Sequence, residues 1–170
     1  MTNEPRVAER PATPYVAVTR SVPMSGLAGV ADEIPRVIGQ ADRLGLTVDG
    51  PPFFRYVVID MERELVVEAG VPLTALVAAG TDLGDLEAGV LPAGRYATVV
   101  HTGHPDTLAD ATGRLLRWAD DAGLRFDVRP GDRGDVWGCR LESYLTDPRV
   151  EPDMSRWETE LAFRLADDPA

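Results

Sequence analysis

The sequence has few residues that could form a disulfide bond or bind a metal ion. Its one cysteine, Cys139, cannot pair within the chain, and its two histidines are His101 and His104. A closed zinc site of the Cys/His type needs four ligands, and no second cluster of ligand residues accompanies the histidines. Gly103 and Pro105 beside them are typical of a turn. We therefore expect the histidines to be turn or solvent-exposed residues, and we expect no metal and no cofactor.

The motifs that bind nucleotide phosphates or activate a nucleophilic serine are missing as well. The glycine-rich segment Gly131-Asp132-Arg133-Gly134 has no lysine, and its aspartate would repel a phosphate. No serine lies in the Gly-x-Ser-x-Gly turn that exposes a nucleophile. The sequence thus gives no indication of a bound nucleotide.

Positive charge is scarce. The chain has 17 basic and 28 acidic residues, a net charge of −11 and a pI near 4.5. Nucleic acid needs a basic surface, so we expect no nucleic-acid partner, whereas cationic ligands would be mildly attracted. No run of 18 apolar residues and no apolar leader segment occurs. These features predict a soluble, cytoplasmic protein without membrane contact.

The chain does contain a repeated order of predicted elements. Apolar residues make up 44% of its 170 residues, which is enough for a core. We expect residues 1–13 to be a disordered tail and residues 14–166 to form a single domain of two repeats, about 14–79 and 90–166. Each repeat has the order strand, helix, strand, strand. The predicted helices are 27–44 and 107–122, and the predicted strands are 15–21, 53–60, 64–71, 95–102, 136–145 and 157–165.

Short identities between the two halves support a duplication. Tyr15-Val16-Ala17-Val18 resembles Tyr96-Ala97-Thr98-Val99, and residues 41–46 resemble residues 119–124, each at the same point of the repeat. Two such units predict an α+β fold with one curved antiparallel or mixed sheet and two helices on one face. We expect the other sheet face to be open and a ligand groove to lie at the pseudo-twofold axis.

The predicted strand 136–145 carries unusual polar residues. By alternation, Arg140, Glu142 and Tyr144 share one face, while Trp137 falls on the opposite, mostly apolar face. Ionised groups are rarely placed on an interior strand unless they are paired or used. Glu142 could offset a bound cation, could act as a general acid or base, or could simply pair with Arg140.

Aromatic side chains are few, at 6% of the chain, but they cluster near the predicted strands. A flat organic cation gains about 0.5–2 kcal/mol for each ring it contacts. Phe54 and Tyr56 share one strand face, so both line the groove or neither does. A bulge after Gly134 could turn Trp137 toward the groove, and Trp157 could close its rim. Our candidate ligand-binding residues are Phe54, Tyr56, Tyr96, Trp137, Glu142, Tyr144 and Trp157.

Several short motifs together resemble one known family. They are Leu91-Pro92-Ala93-Gly94-Arg95-Tyr96-Ala97, His101-Thr102-Gly103-His104, Glu142-Ser143-Tyr144, Asp147-Pro148 and Thr159-Glu160-Leu161. In this order and spacing they resemble the GyrI-like small-molecule-binding family, which also supplies the effector-binding domain of multidrug-responsive and AraC-type regulators. The resemblance covers roughly residues 14–166. It implies a two-repeat fold whose pocket floor carries the acid and the tyrosine of the Glu-x-Tyr motif, here Glu142 and Tyr144.

The resemblance implies three functions. The first, which we favour, is a standalone binding protein for hydrophobic, aromatic and often cationic compounds, with Glu142 as the counter-charge. The second is a hydrolase that opens strained, cyclopropane-type electrophiles, with Glu142 and Tyr144 as catalytic residues. The third is a contact with DNA gyrase, to which no segment of the sequence points. The 13 residues before the first predicted strand are too few for a helix-turn-helix domain, so we do not expect this chain alone to regulate transcription.

Overall fold

The computed structural model describes residues 2–167. Within them, no helix is both long enough and apolar enough to span a membrane. The helices are α1 (Leu27–Ala31), α2 (Ile34–Arg43) and α3 (Leu108–Asp121). The strands are β1 (Arg6–Arg10), β2 (Thr13–Val22), β3 (Phe53–Ile59), β4 (Leu65–Pro72), β5 (Glu87–Leu91), β6 (Gly94–Thr102), β7 (Val128–Gly131), β8 (Gly134–Trp137), β9 (Arg140–Tyr144) and β10 (Glu158–Arg164).

The strands form one sheet in the order β1-β6-β10-β9-β3-β4-β2-β5, and the β7–β8 hairpin extends β3. Every pairing among the described strands is antiparallel. A turn at Pro92-Ala93 joins β5 to β6, although these strands lie near opposite ends of the sheet. The sheet must therefore curl into a half-barrel, and the predicted α+β fold is confirmed with the antiparallel sheet.

The sheet is built from two equivalent halves. β6, β10 and β9 follow one another on one side, and β2, β4 and β3 follow in the same sense from the other. The halves meet where β3 pairs with β9, with Phe54 opposite Glu142. This arrangement confirms the predicted duplication of a strand–helix–strand–strand unit.

The predicted disordered tail is wrong for the segment that contains β1. Arg6–Arg10 pairs with β6, Thr2 forms an isolated bridge with His101, and Arg10 forms an ion pair with Glu160. The two halves thus exchange edge strands. β1, from the first half, pairs with β6 of the second half, and β5, from the second half, pairs with β2 of the first half. β1 is an edge strand with mostly exposed side chains, so it lacks the alternating apolar pattern from which a strand could be predicted. Met1 lies outside the described residues.

Both longer helices pack on the same face of the sheet. Apolar residues of α2 join those of β2 and β4 in one core cluster, and α3 joins β6 and β10 in a second. The helix predicted over 27–44 is divided into α1 and α2. The division comes just before Pro35, the second residue of α2, because proline has no N–H to continue the hydrogen bonds of a preceding helical turn.

The opposite sheet face is buried, so the prediction that it lies open is wrong. Curling brings β2 and β6 together over a third cluster that includes Tyr15, Tyr96 and Cys139. A polar network lies on the same face. Tyr15 Oη donates to both oxygens of Glu68 at 2.9 Å, and Arg55 Nη1 donates to Tyr15 Oη at 2.9 Å. Burial raises the pKa of Glu68, and the Tyr15 hydrogen bond and the Arg55 charge oppose that shift.

Candidate functional site

A cavity of about 1560 Å³ lies between the two longer helices and the centre of the sheet. Its walls are apolar residues of the helices, among them Leu27, Ile34, Ile38, Leu108 and Leu116. Its floor comes from the strands that meet at the pseudo-twofold axis: Phe54, Tyr56, Arg140, Glu142, Tyr144 and Phe163. The predicted groove between the halves therefore exists, on the helix side of the sheet.

Strand alternation directs the floor residues into this cavity. On β9, Glu142 and Tyr144 line the cavity, while the intervening Ser143 is buried on the other face. On β3, Phe54 and Tyr56 line it together, as their shared parity requires. Because Phe54 pairs directly with Glu142, an aromatic ring and a carboxylate lie side by side at the axis.

Two phenols hold the Glu142 carboxylate. Tyr144 Oη donates to Oε1 at 2.7 Å, and Tyr56 Oη donates to Oε2 at 3.3 Å. The two tyrosine rings pack edge-on against Phe54, with centroids 5.4 Å (Tyr144) and 6.2 Å (Tyr56) away. Both carboxylate oxygens thereby accept hydrogen bonds, and the two rings that carry the donors are held by the ring of Phe54.

Burial dominates the protonation of this group. It raises the pKa of Glu142, whereas the hydrogen bonds from Tyr144 and Tyr56 and the positive charge of Arg140 act in the opposite direction. Burial and the neighbouring Glu142 charge also raise the pKa of both phenols well above the ordinary tyrosine value. The phenols thus stay protonated as donors, and burial shifts Glu142 toward its neutral, protonated form.

Two floor residues, Arg140 and Phe163, were not among the predicted ligand-binding residues, and Arg140 is the charged one. Its guanidinium lies 4.4 Å from the centroid of the Phe163 ring, 4.6 Å from that of Trp137 and 6.0 Å from that of Tyr56. Burial lowers the pKa of Arg140 to about 10, and so the group remains charged at neutral pH. The hydrogen bonds of Glu142 go to tyrosines rather than to Arg140. The shared parity with Glu142 was the signal that could have identified it.

Two predicted ligand-binding residues lie outside the cavity lining. Tyr96 is on the opposite sheet face, where its Oη donates to the carbonyl oxygen of Pro92 at 2.6 Å, so its prediction as a groove residue is wrong. Trp137 packs beside the floor in the core cluster under α3, with ring centroids 5.5 Å from Phe126 and 5.8 Å from Phe163. It contacts Arg140 but does not line the cavity.

Trp157 and several acidic residues form the cavity rim. Trp157 lines the cavity and is anchored by its Nε1, which donates to the carbonyl oxygen of Glu151 at 2.7 Å. Asp32, Asp106 and Asp147 also contribute to the lining. Asp147 is paired with Arg149 at 2.8 Å. A rim with more acids than bases would draw cations toward the cavity.

The histidines serve structural roles. The prediction of a turn or exposed position is wrong for His101, which is buried within β6, with Nδ1 2.9 Å from Thr2 Oγ1 and Nε2 2.7 Å from Thr107 Oγ1. His104 Nδ1 accepts the backbone N–H of Asp106 at 3.1 Å, at the turn before α3. Over residues 2–167, no group of three or more His, Cys, Asp or Glu side chains is arranged to hold a metal ion.

Solved structures of low sequence identity share this fold. EcmrR in a complex with DNA is 22% identical to the chain, with a TM-score of 0.76 over 96% of this chain and 57% of that one, so the chain spans a little over half of EcmrR. The isolated C-terminal domain of EcmrR, also 22% identical, is covered to 98% with a TM-score of 0.73 over 96% of this chain.

Two further structures carry names that bear on function. SAV2435 bound to tetraphenylphosphonium is 9% identical, with a TM-score of 0.67 over 96% of this chain and 94% of that one. A structure described as a hydrolase from Listeria innocua is 15% identical, with a TM-score of 0.63 over 96% and 92%. No curated protein sequence matches the chain. The model of the GyrI-like small molecule binding domain matches residues 3–166, and the chain therefore belongs to that family.

Proposed function

We propose that this domain binds bulky aromatic cations in the cavity, with broad specificity and with Glu142 as their counter-charge. The observation that carries the proposal is a carboxylate held by two phenols on the floor of a 1560 Å³ cavity with apolar walls. A carboxylate in such a place is costly to ionise when it is alone. A bound cation offsets that cost, so binding and ionisation of Glu142 favour each other.

The aromatic rings on the floor suit the same ligands. Phe54, Tyr56, Tyr144 and the rim residue Trp157 present ring surface to the cavity, and each ring that contacts a cation contributes about 0.5–2 kcal/mol. The walls offer flexible and branched aliphatic groups rather than directed hydrogen bonds, which favours broad specificity. SAV2435, the relative with tetraphenylphosphonium bound, supports this ligand class.

The partners we propose are thus small molecules rather than nucleic acid or membranes, because the net charge of −11 disfavours anionic surfaces. The acidic charge is compatible with a protein partner such as gyrase, but no segment of the sequence points to one. The cytoplasm is the compartment we propose, since the one cysteine of the chain, Cys139, is a free and buried thiol.

The test is a titration with 10-methylacridinium and with 9-methylanthracene, a neutral molecule of the same tricyclic shape. We expect the wild type to bind the cation more tightly, and we expect Glu142→Gln to weaken cation binding by roughly 1–3 kcal/mol, about 5- to 150-fold in Kd. Affinity for 9-methylanthracene should change little. Glu87→Gln removes the same charge from an exposed residue of β5 outside the cavity lining and is the matched control. Equal affinity for the two compounds in the wild type would refute the proposal.

A hydrolase is the second candidate, favoured by the raised pKa of Glu142 beside Tyr144. Protonated Glu142 would give its proton to the leaving atom of a strained ring while water adds to the electrophilic carbon and returns a proton to the carboxylate. The substrate would be an activated cyclopropane, and the product would be heavier by one water molecule. Mass spectrometry should then detect this product with the wild type and not with Glu142→Gln. Recovery of unchanged substrate from the wild type between pH 5 and 8 would exclude this reaction for the compound tested.

A further inference from the structure

The guanidinium of Arg140 has hydrogen-bond donors without protein acceptors. Its Nε is buried and has no hydrogen-bond partner among the described residues. We find no hydrogen bond or ion pair from the rest of the guanidinium to any of residues 2–167 either. A charged group that has lost water normally gains such partners. The guanidinium of Arg140 is therefore a charged group in the cavity whose hydrogen-bond donors have no acceptor from the protein.

The neighbours of Arg140 explain how it is held and what it leaves unused. The guanidinium lies 4.4 Å from the centroid of the Phe163 ring and 4.6 Å from that of Trp137. These aromatic faces stabilise its positive charge. Ring contacts of this kind stabilise the cation but accept none of its N–H donors in the plane of the group. Nε is closed off, but the side chain lines the cavity, so the Nη donors of the guanidinium are available to a ligand.

The position of Arg140 relative to Glu142 sets the spacing of two opposite charges. The two residues are separated by one residue on β9 and face the same way, so their backbone positions are roughly 7 Å apart. Nothing on the floor neutralises them as a direct ion pair, because the described contacts of Glu142 go to Tyr56 and Tyr144. The floor therefore presents an acceptor and a donor side by side.

We infer that Arg140 is a second polar anchor, and that the preferred ligands carry an oxygen acceptor, as a carboxylate or a carbonyl, beside their aromatic cationic part. This inference rests on the proposed function and narrows its ligand class. A planar guanidinium suits a carboxylate because it can donate two parallel hydrogen bonds. The positive part of the same ligand would lie over Glu142 and the phenol rings.

Three dyes with one aromatic cation test the inference: tetramethylrosamine, tetramethylrhodamine, which adds a carboxylate to the pendant ring, and the methyl ester of tetramethylrhodamine. Equilibrium dialysis of the full chain at pH 7.4 gives the three dissociation constants. We expect tetramethylrhodamine to bind at least about fivefold more tightly than tetramethylrosamine, the gain of a charge-assisted hydrogen bond after desolvation, with the ester between them. In Arg140→Met the preference should disappear, while tetramethylrosamine binds as well as before or better.

The control is Arg129→Met, which removes the same charge from an exposed residue of β7 outside the cavity lining and should keep the preference. Arg140→Gln answers the same question should Arg140→Met fail to fold. Equal binding of tetramethylrosamine and tetramethylrhodamine by the wild type would overturn the inference and leave the proposed function standing, as would a preference that survives in Arg140→Met. Failure of the wild type to bind any of the three dyes would overturn both.

Discussion

The hydroxyl of Tyr144 controls how easily Glu142 ionises, and its removal gives a measurable shift. In Tyr144→Phe, the carboxylate loses its 2.7 Å hydrogen bond and keeps the 3.3 Å contact with Tyr56. A hydrogen bond to a charged group is worth about 1.5–3 kcal/mol, and 1.36 kcal/mol corresponds to one pKa unit. Loss of the bond raises the pKa of Glu142 further, so the pH at which cation binding is half-maximal should rise by about one unit or more.

The second tyrosine provides an internal comparison. The Tyr56 contact, at 3.3 Å, is longer than the usual O–H···O range of roughly 2.5–3.0 Å. Tyr56→Phe should therefore move the midpoint in the same direction by a smaller amount. Both substitutions keep the aromatic ring and its packing against Phe54.

The assay is the affinity for 10-methylacridinium measured from pH 4 to pH 8 in the wild type and both variants. Cation affinity should be high where Glu142 is ionised and should be lost as the pH falls through its pKa. An unchanged midpoint in Tyr144→Phe, or a larger shift in Tyr56→Phe, would refute the assignment of Glu142 as the titrating counter-charge.

Three further predictions concern stability and the N-terminal strand. Burial raises the pKa of Glu142, so its ionisation destabilises the unliganded fold above that pKa. Glu142→Gln should therefore raise the melting temperature at pH 8. The gain should vanish below about pH 4.3, where the carboxyl group is protonated in the unfolded chain as well. Burial lowers the pKa of His101, so this imidazole binds a proton more readily in the unfolded chain than in the folded one. The wild type should therefore lose more stability than His101→Gln as the pH falls below about 6.5. Equal losses of stability in the two proteins would contradict this. β1 pairs with β6; amide exchange measured by mass spectrometry should show protection within residues 6–10, whereas complete exchange at the first time point would restore the disordered tail.

The site residues that could be predicted are those fixed by local strand periodicity. Tyr144 follows Glu142 at a spacing of two, and Tyr56 follows Phe54 in the same way, so each pair must face one side whatever the rest of the fold does. The similarity of Tyr15-Val16-Ala17-Val18 to Tyr96-Ala97-Thr98-Val99 likewise reflects the equivalent places of β2 and β6 in the two halves. These features need no knowledge of distant contacts.

The residues that could not be predicted depend on partners far along the chain. Strict alternation over 136–145 fails because β8 ends at Trp137 and β9 begins at Arg140. At the break, Gly138 N–H donates to the Asp127 carbonyl oxygen at 2.8 Å, and Arg55 Nη2 donates to the Gly138 carbonyl oxygen at 2.8 Å. At this break Trp137 lies on the helix face of the sheet, in the core cluster under α3 and beside Arg140, while Cys139 faces the opposite side.

Curvature of the sheet is the second source of error. A flat sheet would leave Tyr96 on an open face, but the short β5–β6 turn forces the sheet to close over Tyr15 and Tyr96. The same closure allows β1 to pair across the halves with β6. The matching dipeptides Pro11-Ala12 and Pro92-Ala93 before β2 and β6 were the available sequence signal for the extra strand in each half.

A crystal structure of the complex with tetraphenylphosphonium would show directly whether Glu142 is the counter-charge. We expect the cation to lie in the cavity between α2 and α3, with its phosphorus closer to the Glu142 carboxylate than to any other acid and with phenyl rings against Phe54 and Tyr144. A cation bound outside this cavity, or one held only by the rim residues Asp32, Asp106 and Asp147, would contradict it.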